Sequence, residues 1–543
     1  MPETLTRRDL FSLRRSPKRI QSGLAPYSGP WTRAQAAHLL RRTLFGPRLG
    51  EIGQLAALDA GQAADLLLQT GPAPAPPVND YANDQISDPQ VPFGQTWVEA
   101  PYNNDLEYYR IVSLKGWWIS RMLTQPMTIE EKMVMFWHNH FATEMVGVFN
   151  ARMCYRHLAL LRTHALGNFK ALVKAVTLDP LMLIYLNGAF NEKDAPDENY
   201  ARELQELFCL GKGPGSQYTE GDVRAAARVL TGWRVNWETA ASFFEPYFHD
   251  PYDKQFSSFY QSQRITGRSG AAGAEELDDL LDMLFEQAET SKFICRKLYR
   301  YFVNHEIDEA VETSVIEPLA QLFRDSGYEI LPVLSALLKS AHFYDSAVQG
   351  AVIKSPAEYL LGMCRSFGIE FPGPDLLRDG ATLRTYLWYF LITLLQDPGD
   401  PPNVAGWPAW YQAPQFDRYW ATTDTLPRRA QVAEILLYYG FSTDTYQARL
   451  DTVAFTATLP QPEDPNALID DVESYFFGIP FTAEVRRHLK SILLSNQQSD
   501  YYWTAAWVSY ALDPADEMKR FTVETRLKAF YLFVLQLEEF HLM

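Results

Sequence analysis

The stretch MTIEEKMVMFWHNHFA, residues 127–142, has the pattern of a buried helix. Its apolar side chains and His140 recur at helical spacing. Thr128 and Glu131 stand three residues apart, which is the signature of a capping box at a helix start. The sequence therefore predicts a helix that begins near residue 128 and ends at a polar motif.

That polar motif contains two histidines, His138 and His140, one residue apart. In a continuous helix, residues two apart point about 200° away from each other, so the two rings cannot bind one ion from one face. His140 continues the apolar stripe, whereas His138 lies beside Val134 and Phe141. Two explanations stay open: the histidines serve a metal or acid/base site, or they are core-edge side chains with satisfied hydrogen bonds.

Helical periodicity continues along most of the chain, and the alternation typical of strands is nearly absent. We therefore predict an all-α protein with long ordered irregular loops and little or no sheet. Three regions are expected: a flexible basic tail at 1–24, a helical core domain at 25–435 that carries the motifs, and a C-terminal helical region at 436–543 packed on that core. Further helices are predicted at 152–175, 197–210, 220–234, 275–304, 310–325, 330–341 and 355–368, and irregular loops at 71–104, 236–270 and 396–425.

Composition excludes several classes of protein. The net charge of -17 argues against sequence-independent binding to nucleic acid, which needs Lys and Arg against the phosphates. No window approaches the ~18 apolar residues of a transmembrane helix. The four cysteines are scattered without a C-x-x-C pair, which disfavours a thiolate zinc site.

The N-terminal tail bears on localisation. LTRRDLFSL contains the paired arginines of a twin-arginine export signal. The following RRSPKRIQSG is basic and polar where such a signal needs an apolar segment. We therefore expect a cytoplasmic protein, with twin-arginine export as the alternative.

The motif DENYARELQELFCLGKG offers a second set of polar side chains. Asn199, Glu203 and Glu206 follow one another at helical spacing, so two carboxylates and an amide can face one ion. Glu198, Arg202 and Glu206 are also spaced for a ladder of ion pairs on a solvated face. Spacing alone leaves both interpretations open.

Two further motifs carry charged groups. In YTEGDVRAAARVLTGW, Thr219 and Asp222 predict a capping box, and Arg228 is placed to bind a carboxylate or an acidic substrate. In FEPYFHDPYDKQF, His249 and Asp250 lie in an irregular aromatic segment and suit metal ligation or acid/base chemistry. No G-x-S-x-G elbow, P-loop or dinucleotide fingerprint is present.

Eight blocks of sequence, in order from about residue 36 to residue 408, resemble the bacterial family catalogued as domain of unknown function 1800. They are AAHLLRRTLFG, FWHNHFAT, ENYARELQEL, YTEGDVRAAARVLTGW, FHD, SKFICRKLYRYFV, KSPAEYLLG and PPNVAGWP. The resemblance implies a mostly helical protein, frequently exported by the twin-arginine route and encoded beside a sulfatase-like partner protein. The chain departs from the family pattern in its export signal and in DKQFSSFYQSQRITGR after His249 and Asp250.

The leading hypothesis is a metal-dependent enzyme with a His/carboxylate site between helices. Mixed imidazole and carboxylate ligands suit Fe, Mn or Zn. A redox-active ion implies oxidation of an organic or peptide substrate, and zinc implies hydrolysis. The predicted metal ligands are His140, His249 and Glu203, and the predicted catalytic residues are His138, Asp250, Glu206 and Arg228.

Two alternatives compete with that hypothesis. The first is a non-catalytic helical scaffold that binds a partner protein or a polymer through its aromatic-rich loops. In that case the arginines and glutamates form an internal charge network that fixes helix packing. The second is a metal-free enzyme that uses His249 and Asp250 for acid/base catalysis.

Overall fold

The computed structural model describes residues 22–543. Over this range the chain is mainly helical, and its strands form two-stranded antiparallel hairpins. The prediction of a mainly helical protein with little sheet is confirmed. Most of the predicted tail, residues 1–21, lies outside the described residues.

The helices follow one another along the whole described chain. Helices α1 to α9 are Arg33–Thr43, Leu49–Ala56, Ala60–Leu67, Glu107–Thr124, Glu130–His140, Met145–Val148, Ala151–Thr163, Phe169–Thr177 and Pro180–Tyr185. Helices α10 to α16 are Asn199–Glu203, Glu220–Val229, Glu276–Phe285, Ala288–Phe302, Glu309–Val311, Glu317–Asp325 and Ile330–Leu338. Helices α17 to α24 are Pro356–Ser366, Leu377–Thr393, Thr425–Tyr438, Thr452–Thr456, Pro465–Phe476, Ala483–Leu493, Tyr501–Leu512 and Glu517–Gln536.

Other regular elements are short. The hairpins pair β1 (Trp233–Asn236) with β2 (Ala241–Phe244), β3 (Lys254–Gln255) with β4 (Arg264–Ile265), and β5 (Phe441–Ser442) with β6 (Gln447–Ala448). Two segments have π-helical hydrogen bonding, Leu204–Cys209 and Glu312–Ile316. Single π-turns inside helices are rare and frequently lie at functional sites.

The structure corrects several predicted boundaries. Helix α5 begins at Glu130 after Ile129, which makes no side-chain cap, so the capping box predicted at Thr128 is wrong. The capping box predicted at Thr219 is confirmed. The predicted helix 152–175 is two helices, because the chain turns after α7 and the Asn168 side chain caps α8.

Helix α5 lies at the centre of the packing, with all its residues buried. Its charged side chains therefore need partners inside the protein, because an unpaired buried charge is strongly destabilising. Arg162 donates to both carboxylate oxygens of Glu131, at 2.9 and 2.8 Å. The Lys132 ammonium forms an ion pair with Glu358 of α17, where both side chains are almost fully buried.

Two glycines allow close backbone approach around this helix. Gly406 has a φ of +88°, and a Cβ there would overlap the side chain and carbonyl of Asn139 in α5. The amide N–H of Trp407 donates to Asn139 Oδ1 at 2.8 Å. The PPNVAGWP loop is thereby fixed against the HNH motif. Gly46 has a φ of +87° and lies against the backbone of Gly362 in α17.

Residues after 436 also pack against the N-terminal helices. The Arg41 guanidinium of α1 donates to the carbonyls of Ser474 and Tyr475, at 3.2 and 3.1 Å. The Tyr475 hydroxyl donates to the Ser366 carbonyl at 2.7 Å. These contacts join α21 to helices of the preceding region.

The ion pair between Lys132 and Glu358 gives a test of this packing. Lys132→Met leaves the Glu358 carboxylate buried without its cation, so we expect a loss of about 3–5 kcal/mol in the free energy of unfolding. Chemical denaturation followed by circular dichroism measures the change. The double variant Lys132→Met/Glu358→Gln is expected to recover most of it.

An exposed ion pair supplies the matched control. Lys174 and Asp278 are each about half exposed, so Lys174→Met is expected to change stability by under about 1 kcal/mol. Equal effects of Lys132→Met and Lys174→Met would contradict the central position of α5.

Candidate metal and catalytic site

His140 is the last residue of α5, and both of its ring nitrogens have partners. Nε2–H donates to the Phe208 carbonyl at 3.1 Å, inside the π-helical segment. Lys297 of α13 donates to Nδ1 at 2.8 Å. Burial and the neighbouring Arg300 lower the pKa of Lys297 to about 7. His140 therefore links three helical segments through hydrogen bonds.

The predicted carboxylate stripe of the second motif is reorganised by the π-turn. Helix α10 ends at Glu203, where the hydrogen bonding becomes π-helical. Glu203 is half-buried, and burial together with the charge of Glu206 raises its pKa. Glu206 forms an ion pair with Lys212, and Asn199 is exposed. These three side chains do not converge on one buried point.

Arg202 forms ion pairs that agree in part with the predicted ladder. Its guanidinium lies 3.1 Å from Glu198 and 2.6 Å from Glu220. The spacing of one helical turn thus produces the Glu198 pair, and Glu220 of α11 takes the place expected for Glu206.

His249 belongs to a separate buried network. Its Nε2 lies 3.1 Å from Glu276 Oε1, and its Nδ1 lies 3.0 Å from the Thr231 carbonyl. Lys254 is fully buried and donates to the other oxygen of Glu276 at 2.5 Å. Both ring nitrogens of His249 therefore have protein partners, and Glu276 is the carboxylate that sequence analysis missed.

The structure does bring two predicted catalytic residues together. Arg228 Nε donates to Asp250 Oδ2 at 2.6 Å, and Arg228 Nη2 reaches Oδ1 at 3.3 Å. Burial alone would raise the pKa of Asp250, but the hydrogen bonds from Arg228 and the Tyr252 amide, together with the charges of Arg228 and Lys254, outweigh it and hold the pKa below its ordinary value. The bidentate pair anchors the loop after β2 to helix α11.

His140, Glu203 and His249 thus occupy three different networks. Among residues 22–543, no group of three or more His, Cys, Asp or Glu side chains is arranged to hold a metal ion. The polar motifs share a helical core, but the predicted ligands do not meet at one point.

His138 differs from the other motif histidines. It is fully buried, and neither ring nitrogen has a hydrogen-bond partner within the described chain. The rings of Trp118 and Trp407 lie 5.2 and 5.8 Å from it between centres. Burial lowers the pKa of His138 well below its ordinary value, and the neighbouring His157 and Lys115 act in the same direction. A neutral imidazole keeps a lone pair for a ligand.

The neighbour of His138 is His157 of α7. The ring centres are 6.4 Å apart and the ring planes are inclined by 70°. His157 Nδ1 lies 2.9 Å from Asp179 Oδ2, and its Nε2 is buried without a partner. We name the two rings, together with the carboxylate of Asp179 that supports one of them, the histidine pair. Of these three residues, sequence analysis missed His157 and Asp179.

A weak signal for those two members was present in the sequence. His157 lies on the buried stripe of α7 with Cys154 and Leu161, and most buried histidines have a polar partner. Asp179 precedes Pro180 and caps α9. This cap accounts for the residue in the sequence, so its hydrogen bond to His157 is not expected. Only the packing of α7 against the start of α9 shows that the two side chains meet.

A charged group lies next to the histidine pair. Lys115 of α4 is 1% exposed, and its ammonium lies 2.6 Å from Asp397 Oδ1 and 2.5 Å from Asp400 Oδ2. The indole N–H of Trp388 also donates to Asp397 Oδ1, at 2.6 Å. Burial raises the pKa of Asp397 although Lys115 acts in the opposite direction. The Asp397 side chain is 26% exposed, so it connects this buried group with solvent.

These features define a class of protein: a helical body in which polar motifs from distant parts of the chain form separate networks, several of them around one buried helix. A family model described as Protein of unknown function (DUF1800) matches residues 38–520. The chain belongs to this family, as the eight sequence blocks indicated. Comparison with curated proteins and with solved structures gave no match. Within residues 22–543, no helix has the length and apolar character needed to cross a membrane.

The network around His249 gives a prediction for the pH dependence of stability. Burial alone would raise the pKa of Glu276, but hydrogen bonds from His249 and Lys254 outweigh it and hold the pKa below its ordinary value. The resulting stabilisation is complete above the ordinary carboxyl pKa of about 4.3. It is lost as pH falls through the lower folded-state pKa. We therefore expect the wild-type free energy of unfolding to fall more steeply from pH 7 to pH 3 than that of Glu276→Gln.

Denaturation curves at a series of pH values measure this difference, which amounts to about 1.4 kcal/mol for each unit by which the pKa is lowered. Glu238 is exposed, so Glu238→Gln is the control and is expected to follow the wild-type slope. Parallel curves for wild type and Glu276→Gln would show that this carboxylate is not selectively stabilised.

Proposed function

We propose that the protein is a metal-dependent enzyme whose ion is held by His138 and His157. The observation that carries the proposal is the set of three buried ring nitrogens without partners: both of His138 and Nε2 of His157. A buried polar atom without a partner is destabilising by about 1–3 kcal/mol, and native proteins satisfy such atoms with protein groups, water or an ion. Three of them on adjacent rings favour a bound species.

The spacing of the rings suits a shared ion. Metal–nitrogen bonds to histidine are ~2.0–2.1 Å long, so two imidazole centres on one ion lie up to roughly 6.5 Å apart. The observed 6.4 Å falls at the upper end of that range. A tetrahedral angle at the ion would require the ring centres to lie closer, at roughly 5.2 Å.

Asp179 supports the same proposal. Metal-binding histidines usually donate their second ring N–H to a carboxylate, which fixes the tautomer and leaves the other nitrogen free for the metal. Asp179 accepts from Nδ1 of His157 in this way, while also capping α9 through the Met182 amide at 3.1 Å. The carboxylate is therefore held in place by the backbone.

Imidazole ligands suit zinc, iron and copper more than manganese, which prefers carboxylates. A bound ion supplies either a polarised water for hydrolysis or a redox centre for oxidation. Asp397 is the group placed to move protons, because it is partly exposed, has a raised pKa and is positioned by Lys115 and Trp388. Lys115 holds Asp397 and Asp400 beside the histidine pair.

This proposal retains a metal ion, replaces manganese by copper among the predicted candidates Fe, Mn and Zn, and changes the ligands. His140 and His249 each use both ring nitrogens in hydrogen bonds to the protein. They act in the proposal as residues that fix helix packing, together with Arg228 and Asp250. Glu206 lies on the π-helical turn and Glu203 ends the preceding helix α10, and neither acts as a ligand in the proposal.

The second candidate is a helical scaffold that acts with a partner protein or a polymer. It is favoured by the closed networks around His140 and His249, and by the absence among residues 22–543 of a group of three metal-ligating side chains. In a scaffold, ordered water would satisfy the three ring nitrogens of the histidine pair.

Metal content separates the two candidates. We expect untagged wild-type protein, incubated with zinc, iron(II) or copper and then desalted, to retain close to one ion per chain. His138→Phe and His157→Phe are expected to lose it, because each removes one ligand while filling most of the same space. Asp179→Asn is expected to weaken binding about 10–100-fold. Elemental analysis by mass spectrometry measures the ion.

The matched controls are His140→Phe and His249→Phe, which are expected to lower stability by about 1–3 kcal/mol through unpaired buried groups and to keep the ion. Circular dichroism confirms that each variant is folded. Wild-type protein that retains none of the three metals, or His138→Phe that retains the wild-type amount, would contradict the proposal and favour the scaffold.

A further inference from the structure

An aromatic-lined cleft of about 520 Å³ opens between α4 and α18. Six rings line it, and we name it the tyrosine cleft. They are Tyr81, Tyr108, Tyr109, Tyr386, Trp388 and Tyr389. Neither histidine of the proposed metal site lines this cleft, and Trp388 is shared, since its indole also donates to Asp397.

Several of these rings are exposed although they are large and apolar. Tyr108, Tyr386 and Tyr389 are 45%, 39% and 57% exposed, respectively. Exposed aromatic side chains gathered in one concave surface are typical of binding sites. Their hydroxyl groups add hydrogen-bonding capacity at the same surface.

The other rings are held rigidly from behind. Tyr81 donates its hydroxyl hydrogen to Asp88 at 2.8 Å, and its ring stacks on Tyr109 with the planes inclined by 22°. Trp388 is fixed by its hydrogen bond to Asp397 and by the Lys115 ammonium 4.9 Å from its ring centre. Fixed rings lose little conformational entropy when a ligand binds.

Polar groups stand between the rings. Arg384 pairs with Asp80 at 3.0 Å and bridges α18 to the loop before α4. Arg378 is exposed and packs against Phe93, 5.1 Å from the ring centre. Asn83 is exposed at the edge. Such a combination of aromatic faces and bidentate hydrogen-bonding groups suits a ligand with both C–H faces and many hydroxyls.

The cleft does not end at the Asp80–Arg384 pair. A second groove of about 860 Å³ shares Asp80, Ser113 and Arg384 with it, and Trp117 lines that groove. The two grooves meet at these shared residues, on either side of one ion pair. Their combined volume is more than a single small ligand fills, whereas a chain of repeated units can occupy both.

We infer that the tyrosine cleft binds an oligosaccharide chain. Sugar rings stack their C–H faces on the tyrosines and on Trp388, and Arg378, Asn83 and Arg384 donate to their hydroxyls. A proline-rich peptide is disfavoured, because it presents only carbonyl acceptors, whereas sugar hydroxyls also donate and so match the Asp80 carboxylate and the tyrosine hydroxyl oxygens of the lining. The inference does not depend on a bound metal.

Titration calorimetry of the full chain with hexasaccharides tests the inference. The probes are cellohexaose, chitohexaose and hexagalacturonate, with decaproline as the competing class. We expect at least one hexasaccharide to bind, with an affinity that falls tenfold or more in Tyr389→Ala and in Tyr108→Ala. Both rings are exposed, so these variants are expected to fold normally.

Tyr439 is 69% exposed and lies outside the cleft, so Tyr439→Ala is the matched control and is expected to bind like wild type. His138→Phe is also expected to bind like wild type, which separates this inference from the proposed metal site. Failure of all three hexasaccharides to bind, binding of decaproline alone, or an equal loss in Tyr439→Ala would overturn it.

Discussion

The burial of helix α5 on every side is the constraint on which the rest of the structure depends. The polar side chains buried in that helix need partners inside the protein, and four of them have partners in different parts of the chain. Glu131 forms an ion pair with Arg162, and Lys132 forms one with Glu358. The Asn139 side chain accepts a hydrogen bond from the Trp407 amide. His140 is satisfied by the Phe208 carbonyl and Lys297. Three of the blocks that identify the family, SKFICRKLYRYFV, KSPAEYLLG and PPNVAGWP, thus each supply a partner of this helix.

His138 is the exception in this arrangement, and that exception carries the functional proposal. It faces His157 between tryptophans and has no hydrogen-bond partner among the described residues. Lys115, Asp397 and Trp388 connect this buried point to the tyrosine cleft, because Trp388 lines the cleft while its indole binds Asp397. A ligand in the cleft and an ion on the histidine pair would therefore lie on two sides of one charged group.

The sequence predicted the fold class well, because helical periodicity depends on local spacing that folding preserves. It also located the polar motifs that surround α5. It predicted their mutual contacts less well: His140, Glu203 and His249 all have ligand chemistry, but the partners of the two histidines lie 18 to 157 residues away and follow from packing. The π-turn after Glu203 shifts the register that helical spacing assumes. His157 was overlooked because a single histidine on an apolar stripe resembles many core histidines.

The central claim is that one metal ion lies between His138 and His157. Crystals of protein loaded with zinc, iron or copper, measured on both sides of the absorption edge of that metal, test it most directly. The account predicts a single strong anomalous peak at ~2.0–2.1 Å from a ring nitrogen of each histidine. An anomalous map without a peak there, with ordered water bonded to the three ring nitrogens instead, would contradict the account.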